Sequence, residues 1–306
     1  MPMAAWAQDW KPSQPIKVIV PYPPGGLTDV LGRLVGERLQ SAFGQPAVID
    51  NKPGAATQLG ASYVAKAPPD GYTLLLVTQS NAINATLYGN LSYDFIRDIT
   101  PIATVLHAPS VLVINPSVPA KTIPELISYA KANPGKLNMG TAGIGSPPQL
   151  YGELFKTMTG INMTTVNYRG GEPGLVDLLA GQIQVMIEGI TSSIGYIKGG
   201  KLRPLGVTSA QRSAALPDVP PIGDTVPGYD AAGWFGLAAP KATPAPVIGA
   251  LSNAVAAALK DEGMQATMAK LGAAPMPMGP AEFGKYIADD TEKWAKVIRA
   301  AGLKVD

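Results

Sequence analysis

The stretch from Ile16 to Asp29 constrains the fold more than any other in the chain. Ile16-Lys17-Val18-Ile19-Val20 is a short, nearly continuous apolar run, as expected of a strand covered on both faces of a sheet. It breaks on Pro21, Pro23, Pro24, Gly25 and Gly26. Apolar residues resume at Leu27, Val30, Leu31, Leu34, Val35 and Leu39, which is helical spacing. A buried strand feeds a Gly-rich turn that opens a helix. The first N–H groups of that helix lack intrahelical partners and sit at the positive end of its dipole. Glycines let a ligand approach the backbone there. The stretch is therefore either an ordinary strand-to-helix turn or one jaw of an anion site.

The alternation continues. Short apolar runs at 16–21, 47–50 and 72–77 read as strands, with helices at 27–43, closed by Gly44, and at 57–66. Residues 102–114 are an extended candidate interrupted at Pro109. A second set follows. Thr122-Ile123-Pro124-Glu125 is a capping box for a helix to residue 131. Residues 137–140 read as a strand. Residues 147–158 form a helix with Ser146 as its cap, Pro147 in its first position and Gly160 at its end. A strand at 164–168, a helix at 174–180 and strands at 184–187 and 202–208 complete the set. After a Pro-rich connection over 211–230 come a strand at 234–239 and helices to 260, at 262–271 and at 280–300.

A chain of 306 residues exceeds the usual size of one core. The late strand is alone in its segment and is placed most economically in the first sheet. The expected fold is α/β and two-lobed, each lobe a mostly parallel sheet flanked by helices, with a ligand cleft between them. Residues 8–103 and 228–306 form the first lobe and 104–227 the second. The chain crosses near 102–114 and again within 209–234.

Composition narrows the chemistry. Charged residues are 15% and the net charge is +2, with no basic run, so nothing marks a nucleic-acid partner. No apolar stretch approaches the ~18–20 residues of a membrane span. There is no cysteine, which removes thiolate chemistry, disulfides and Cys-based metal sites. The single histidine, His107, lies in the apolar context Val105-Leu106-His107-Ala108-Pro109, where a structural role is expected. No cofactor and no metal are expected. The even charge balance and the lack of heptads suggest a monomer. Ala5-Trp6-Ala7 has the A-x-A form of a signal-peptidase site, so residues 1–7 read as the remnant of an export signal.

In a two-lobed α/β fold the loops after the strands converge on the cleft. In the first lobe these carry Tyr22, Pro24, Gly25, Gly26, Thr28 and Asp29, then Thr78, Gln79 and Ser80. In the second they carry Thr141, Ala142, Gly143, Ile144, Gly145 and Ser146, with Gln149 close behind, then Arg169, Gly170 and Gly171, and finally Glu188. Two Gly-rich strand-to-helix turns, one per lobe, would present two positive helix ends to a carboxylate, each contributing about 0.3–2 kcal/mol. The second turn has neither G-x-x-x-x-G-K-[ST] nor G-x-G-x-x-G spacing, so a nucleotide reading is weak. Arg169 could take a second carboxylate in a forked bond, or pair internally with Glu188 or Asp177. Glu188 could accept from a ligand amine or hydroxyl, or orient Arg169. Asp29 suits the first helical turn whatever the ligand, and could organise the loop. Tyr22 lines the pocket or covers the sheet edge. The late tryptophans read as core.

Pro15-Ile16-Lys17-Val18-Ile19-Val20-Pro21-Tyr22-Pro23-Pro24-Gly25-Gly26 followed by Asp29 resembles the N-terminal signature of the Bug (Bordetella uptake gene) family, the periplasmic substrate-binding proteins of tripartite tricarboxylate transporters. Further stretches match in order: Asp50-Asn51-Lys52-Pro53-Gly54, Pro69-Asp70-Gly71-Tyr72-Thr73-Leu74, Asn84 with Leu87-Tyr88, Gly143-Ile144-Gly145-Ser146, Tyr168-Arg169-Gly170, Asp177-Leu178-Leu179-Ala180-Gly181 and Leu216-Pro217-Asp218-Val219-Pro220. The resemblance implies a type II periplasmic-binding-protein fold that closes on a small carboxylate. It implies that the turns at 22–29 and 143–146 hold the acid group, partly through water. Gln149 stands where the family often has histidine, and Glu188 where it often has aspartate, so ligand identity does not carry over. Ala55-Ala56 replace what is often a glycine pair, read here as a packing matter.

The resulting expectation is a periplasmic solute-binding protein. It captures a mono- or dicarboxylate, aliphatic or aromatic, by hinge closure and delivers it to the permease subunits of a tripartite tricarboxylate-type transporter. A ligand sensor for a membrane signalling protein would have the same fold. A two-lobed enzyme is disfavoured by the residue inventory.

Overall fold

The computed structural model describes residues 10–305 apart from Asn90. The export-signal remnant expected at 1–7 lies outside the described residues. In chain order, β1 (Ile16–Val20), α1 (Leu27–Phe43), β2 (Ala47–Asn51), α2 (Gln58–Ala65), β3 (Thr73–Thr78), α3 (Gln79–Leu87) and the short α4 (Phe95–Asp98) lead into β4 (Ile99–Ile114). Then come α5 (Ile123–Ala132), β5 (Asn138–Thr141), α6 (Pro147–Thr159), β6 (Thr164–Asn167), α7 (Gly171–Leu179), β7 (Val185–Gly189), α8 (Ile190–Lys198) and β8 (Arg203–Val207). The chain ends with β9 (Ala232–Pro240), α9 (Ala245–Ala258), α10 (Glu262–Lys270), the two-residue β10 (Ala274–Pro275) and α11 (Pro280–Ala300).

The protein is a two-lobed α/β fold. In the first lobe β2, β1 and β3 run parallel. In line with the most economical placement, β9 returns to this sheet and pairs antiparallel with β3. In the second lobe β6, β5 and β7 run parallel. β4 belongs to both. Its first part, Ile99 to Pro109, pairs antiparallel with β9, and Ser110 to Ile114 pairs with β7 while Val111 to Ile114 pairs with β8. One strand thus runs unbroken through Pro109, and its neighbours change beside that residue. The second crossing lies next to it, where Ala231 N–H donates to the Thr208 carbonyl at 2.8 Å.

Local sequence explains most elements. β1 is covered on both faces, with Ile16, Val18, Ile19 and Val20 fully buried, and α1 sets Leu31, Val35 and Leu39 against the sheet. Burying each such side chain contributes roughly 1.5–3 kcal/mol. Thr122 accepts from Glu125 N–H at the start of α5, and Ser146 accepts from Gln149 N–H at the start of α6.

Besides the one-turn α4, two helices differ from expectation. Of residues 78–81, read as a loop, Thr78 ends β3 and caps α3 and 79–81 begin that helix, with Asn81 Oδ1 accepting from Thr78 N–H at 2.9 Å. Residues 190–198 form α8. Both segments are rich in Asn, Ser, Thr, Ile and Gly, weak helix formers, and tertiary packing overrides that preference.

The lobes are tied beyond β4. Ile83 and Leu87 of α3, with Trp294, Val297 and Ile298 of α11, share one apolar cluster with Tyr151 and Phe155 of α6. The rings of Tyr151 and Trp294 lie 5.5 Å apart.

Candidate functional site

A cavity of about 600 Å³ lies between the lobes, within the range of small-molecule sites. The first lobe lines it with Tyr22, Leu27 and Thr28, with Ala56 and Thr57, and with Thr78, Gln79, Ser80, Asn84, Leu87 and Tyr88. The second lobe supplies Ile144, Gly145, Ser146, Pro147, Pro148 and Glu188, and β9 adds Gly233, Trp234 and Phe235.

The first jaw is the start of α1. Its N-cap, Gly26, offers no side-chain cap, so the first N–H groups of the helix stay open beside the cavity-lining Leu27 and Thr28. Asp29 builds this turn from behind. Its carboxylate accepts from Gly25 N–H at 3.0 Å, from Asn51 Nδ2 at 3.0 Å and from the Arg33 guanidinium through two bonds at 3.1 Å. The Arg33 hydrogen bond, then the Gly25 amide, hold the Asp29 carboxyl below its ordinary pKa. Tyr22 lines the pocket, its hydroxyl 3.2 Å from Thr78 Oγ1 and donating to Ser80 Oγ at 3.0 Å.

The second jaw is the turn before α6. Gly143 (φ +119°) and Gly145 (φ +76°) take backbone conformations that favour glycine. A Cβ on Gly145 would also stand 2.1 Å from Leu87 Cδ2 of the opposite lobe. Ser146 Oγ donates to the Gly143 carbonyl at 2.7 Å. Gln149, 2% exposed, accepts from Gly145 N–H through Oε1 at 2.6 Å and donates through Nε2 to Asn167 Oδ1 at 3.2 Å. Thr141 donates to the same Asn167 oxygen at 2.9 Å.

Ala55-Ala56 do more than pack. Ala55 (φ +44°), Ala56 (φ +48°) and Thr57 (φ +82°) are three consecutive left-handed residues that are not glycine, and Ala56 and Thr57 form cavity wall. Such residues cost of order 1–2 kcal/mol each and persist only where neighbours hold them. The holders are on α3: Asn84 Nδ2 donates to the Ala56 carbonyl, and Asn81 Nδ2 donates to Thr57 Oγ1 at 3.0 Å.

A buried polar chain runs behind the cavity between the lobes. Tyr151 of α6 donates its hydroxyl to Gln79 Oε1. Gln79 Nε2 donates to Asp290 Oδ2 at 3.3 Å and to the Ala232 carbonyl at 3.2 Å, and Trp234 Nε1 donates to Asp290 Oδ2 at 2.7 Å. Burial raises the Asp290 pKa, against the lowering effect of the Trp234 bond. Trp234 is thus core, as its sequence context suggests, and cavity wall at once.

Of the residues expected at the site, Tyr22, Thr28, Thr78, Gln79, Ser80, Ile144, Gly145, Ser146 and Glu188 meet at the cavity. Pro24, Gly25, Gly26, Asp29, Thr141, Ala142, Gly143 and Gln149 shape the two turns without lining it. Gly170 and Gly171 begin α7, where the bare Gly171 leaves room for Glu188: a Cβ there would stand 2.3 Å from Glu188 Oε2. Arg169 is exposed and, among the described residues, pairs with neither Glu188 nor Asp177. Asp177 instead accepts from the Tyr168 hydroxyl at 2.7 Å. Glu188 Oε1 accepts from Gly189 N–H at 2.8 Å, while Oε2 is buried with no partner among the described residues. Burial pushes the Glu188 pKa up. Sequence reasoning missed Ala56, Thr57, Asn84, Leu87, Tyr88, Pro147, Pro148 and the β9 residues as wall. The only signal for Tyr88 was its place in the family-like Asn84, Leu87-Tyr88 motif.

Comparison with known proteins agrees with this architecture. A family model described as "Tripartite tricarboxylate transporter family receptor" matches residues 31–303. BugT of Bordetella pertussis is 36% identical over 300 residues, 97% of this chain and 92% of that protein. The structure of R. palustris Rpa4515 with adipate superposes with a TM-score of 0.80 at 37% identity, covering 96% of this chain and 99% of that one. MatC from Rhodopseudomonas palustris with bound malate gives a TM-score of 0.76 at 30% identity, over 94% of this chain and 99% of that one.

Proposed function

The chain belongs to the tripartite tricarboxylate transporter family of receptors, and from that premise we propose that it captures a small carboxylate between its lobes and passes it to the membrane subunits of a tripartite tricarboxylate-type transporter. The family is one of solute-binding receptors, not enzymes. The observation that supports the reading most is the convergence on one cavity of two helix starts, uncapped α1 from the first lobe and the turn before α6 from the second. Helix ends bind an anion without a cationic side chain. That suits a cavity lined by no Lys, Arg or His among its described residues. Adipate and malate in the two R. palustris structures support the same class of ligand.

In this reading residues 8–103 and 228–306 move as one lobe and 104–227 as the other. The hinge lies where β4 changes partners beside Pro109 and where the chain returns near Ala231. A ligand that contacts both jaws favours the closed arrangement by its differential affinity. Capture takes place in the periplasm, by a monomer. Native mass spectrometry of the purified protein, looking for a retained acid, tests the reading, followed by thermal-shift screening of aliphatic and aromatic carboxylates. An acid that raises Tm and is recovered unchanged supports it. An acid that is consumed overturns it.

A further inference from the structure

The carboxylate of Glu188 gives the cavity a polarity beyond the generic one. It is the one carboxylate among the described lining residues, and no cationic side chain among them faces it. Oε1 is held by Gly189 N–H, but Oε2 is enclosed against Gly171 with no donor among the described residues. Arg169, the cation that sequence placed nearest, points to solvent. The remaining wall is largely apolar: Leu27, Leu87, Ile144, Pro147, Pro148 and Phe235. Behind it lies another buried acid, Asp290, and Asp29 is already neutralised by Arg33.

A second negative charge on the ligand would therefore meet a carboxylate with nothing to neutralise either, in a setting where like charges repel strongly. A donor would instead be drawn to that carboxylate, and hydrogen bonds to an ionised partner are about twice as strong as neutral ones. We infer that Glu188 makes this receptor select monocarboxylates that carry a hydrogen-bond donor, an ammonium or a hydroxyl, at the end remote from the acid group, and reject plain dicarboxylates. The apolar wall takes the carbon body between the two ends. This rests on the carboxylate-receptor reading above and narrows it.

Isothermal titration near neutral pH with four six-carbon acids tests it: hexanoate, 6-hydroxyhexanoate, 6-aminohexanoate and adipate. At least one donor acid should bind about 10-fold or more tighter than adipate and tighter than hexanoate, a difference of about 1.4 kcal/mol for each tenfold. The hydroxy and amino arms separate a neutral donor from a cation. In Glu188→Gln the preference over adipate should shrink or reverse. Adipate binding as tightly as both donor acids, or an unchanged order in Glu188→Gln, overturns the inference while leaving a carboxylate receptor in place. No heat with any of the four overturns the inference alone; the carboxylate-receptor reading is overturned only if the wider screen of aliphatic and aromatic acids also finds no binder. If the variant does not fold, the order measured on the unaltered protein decides alone.

Discussion

Gln149 Oε1 accepts the backbone N–H of Gly145 at 2.6 Å. The central amide of the second-lobe turn is therefore held by its own helix and is not the group left open to a solute. Gln149 is a positioning residue, and the helix start of α1 is the more open of the two jaws.

Replacing Gln149 by leucine should cost about 1–2 kcal/mol, because it strands the Gly145 N–H and removes the tie to Asn167. Urea denaturation measures this. A change of only a few tenths would show that water replaces the glutamine at no cost.

Gly145→Val should abolish carboxylate binding while the lobes stay folded. The added side chain meets Leu87 across the cleft and also forces a β-branched residue to positive φ. The double variant Gly145→Val with Leu87→Ala removes the clash but not the backbone strain, so binding should return only in part. Full recovery would assign the whole defect to the clash.

Ala56→Gly should stabilise the protein. An alanine held left-handed costs about 1–2 kcal/mol, and glycine's extra freedom in the unfolded chain returns about 0.5–1 kcal/mol of that. A net gain of up to about 1 kcal/mol in thermal or urea melts is expected. A loss would mean that the alanine methyl packs in the cavity wall more strongly than its backbone is strained.

Glu188→Gln should raise Tm near neutral pH. Burial raises the folded-state pKa of Glu188 above its ordinary value. An acid so shifted contributes stability below its unfolded pKa, and that contribution is lost as pH rises through the folded one. Above that raised pKa the unaltered protein carries the burdened carboxylate, and acidification relieves it. The gap in Tm between variant and parent should narrow as pH falls through the raised pKa. A gap independent of pH would show that Glu188 does not cause it. Asp290, shifted the same way, is common to both proteins and cancels.

Much of the frame was legible because it is written in local pattern. The buried run at Ile16–Val20, the helical stripe of α1 ended by left-handed Gly44, the Ser146 and Thr122 caps and the span Pro280–Ala300 all follow from spacing and turn chemistry. α3 was not legible. Its start, Gln79-Ser80-Asn81, reads as loop and the rest carries no clear pattern, because Asn81 and Asn84 gain their partners only once Ala56 and Thr57 lie beside them.

Sequence by itself determined that two Gly-rich strand-to-helix turns exist, that each opens a helix, and that no thiol can act. Tertiary structure alone decided what those turns face. It put Leu87 against Gly145 and left Arg169 in solvent. It linked Gln79 to Tyr151 and Asp290, 72 and 211 residues away in the chain. The reason is physical: helix and strand periodicity act over a few residues, whereas burial, and with it the partner or the lack of one for a buried polar atom such as Glu188 Oε2, is set by packing between segments distant in sequence.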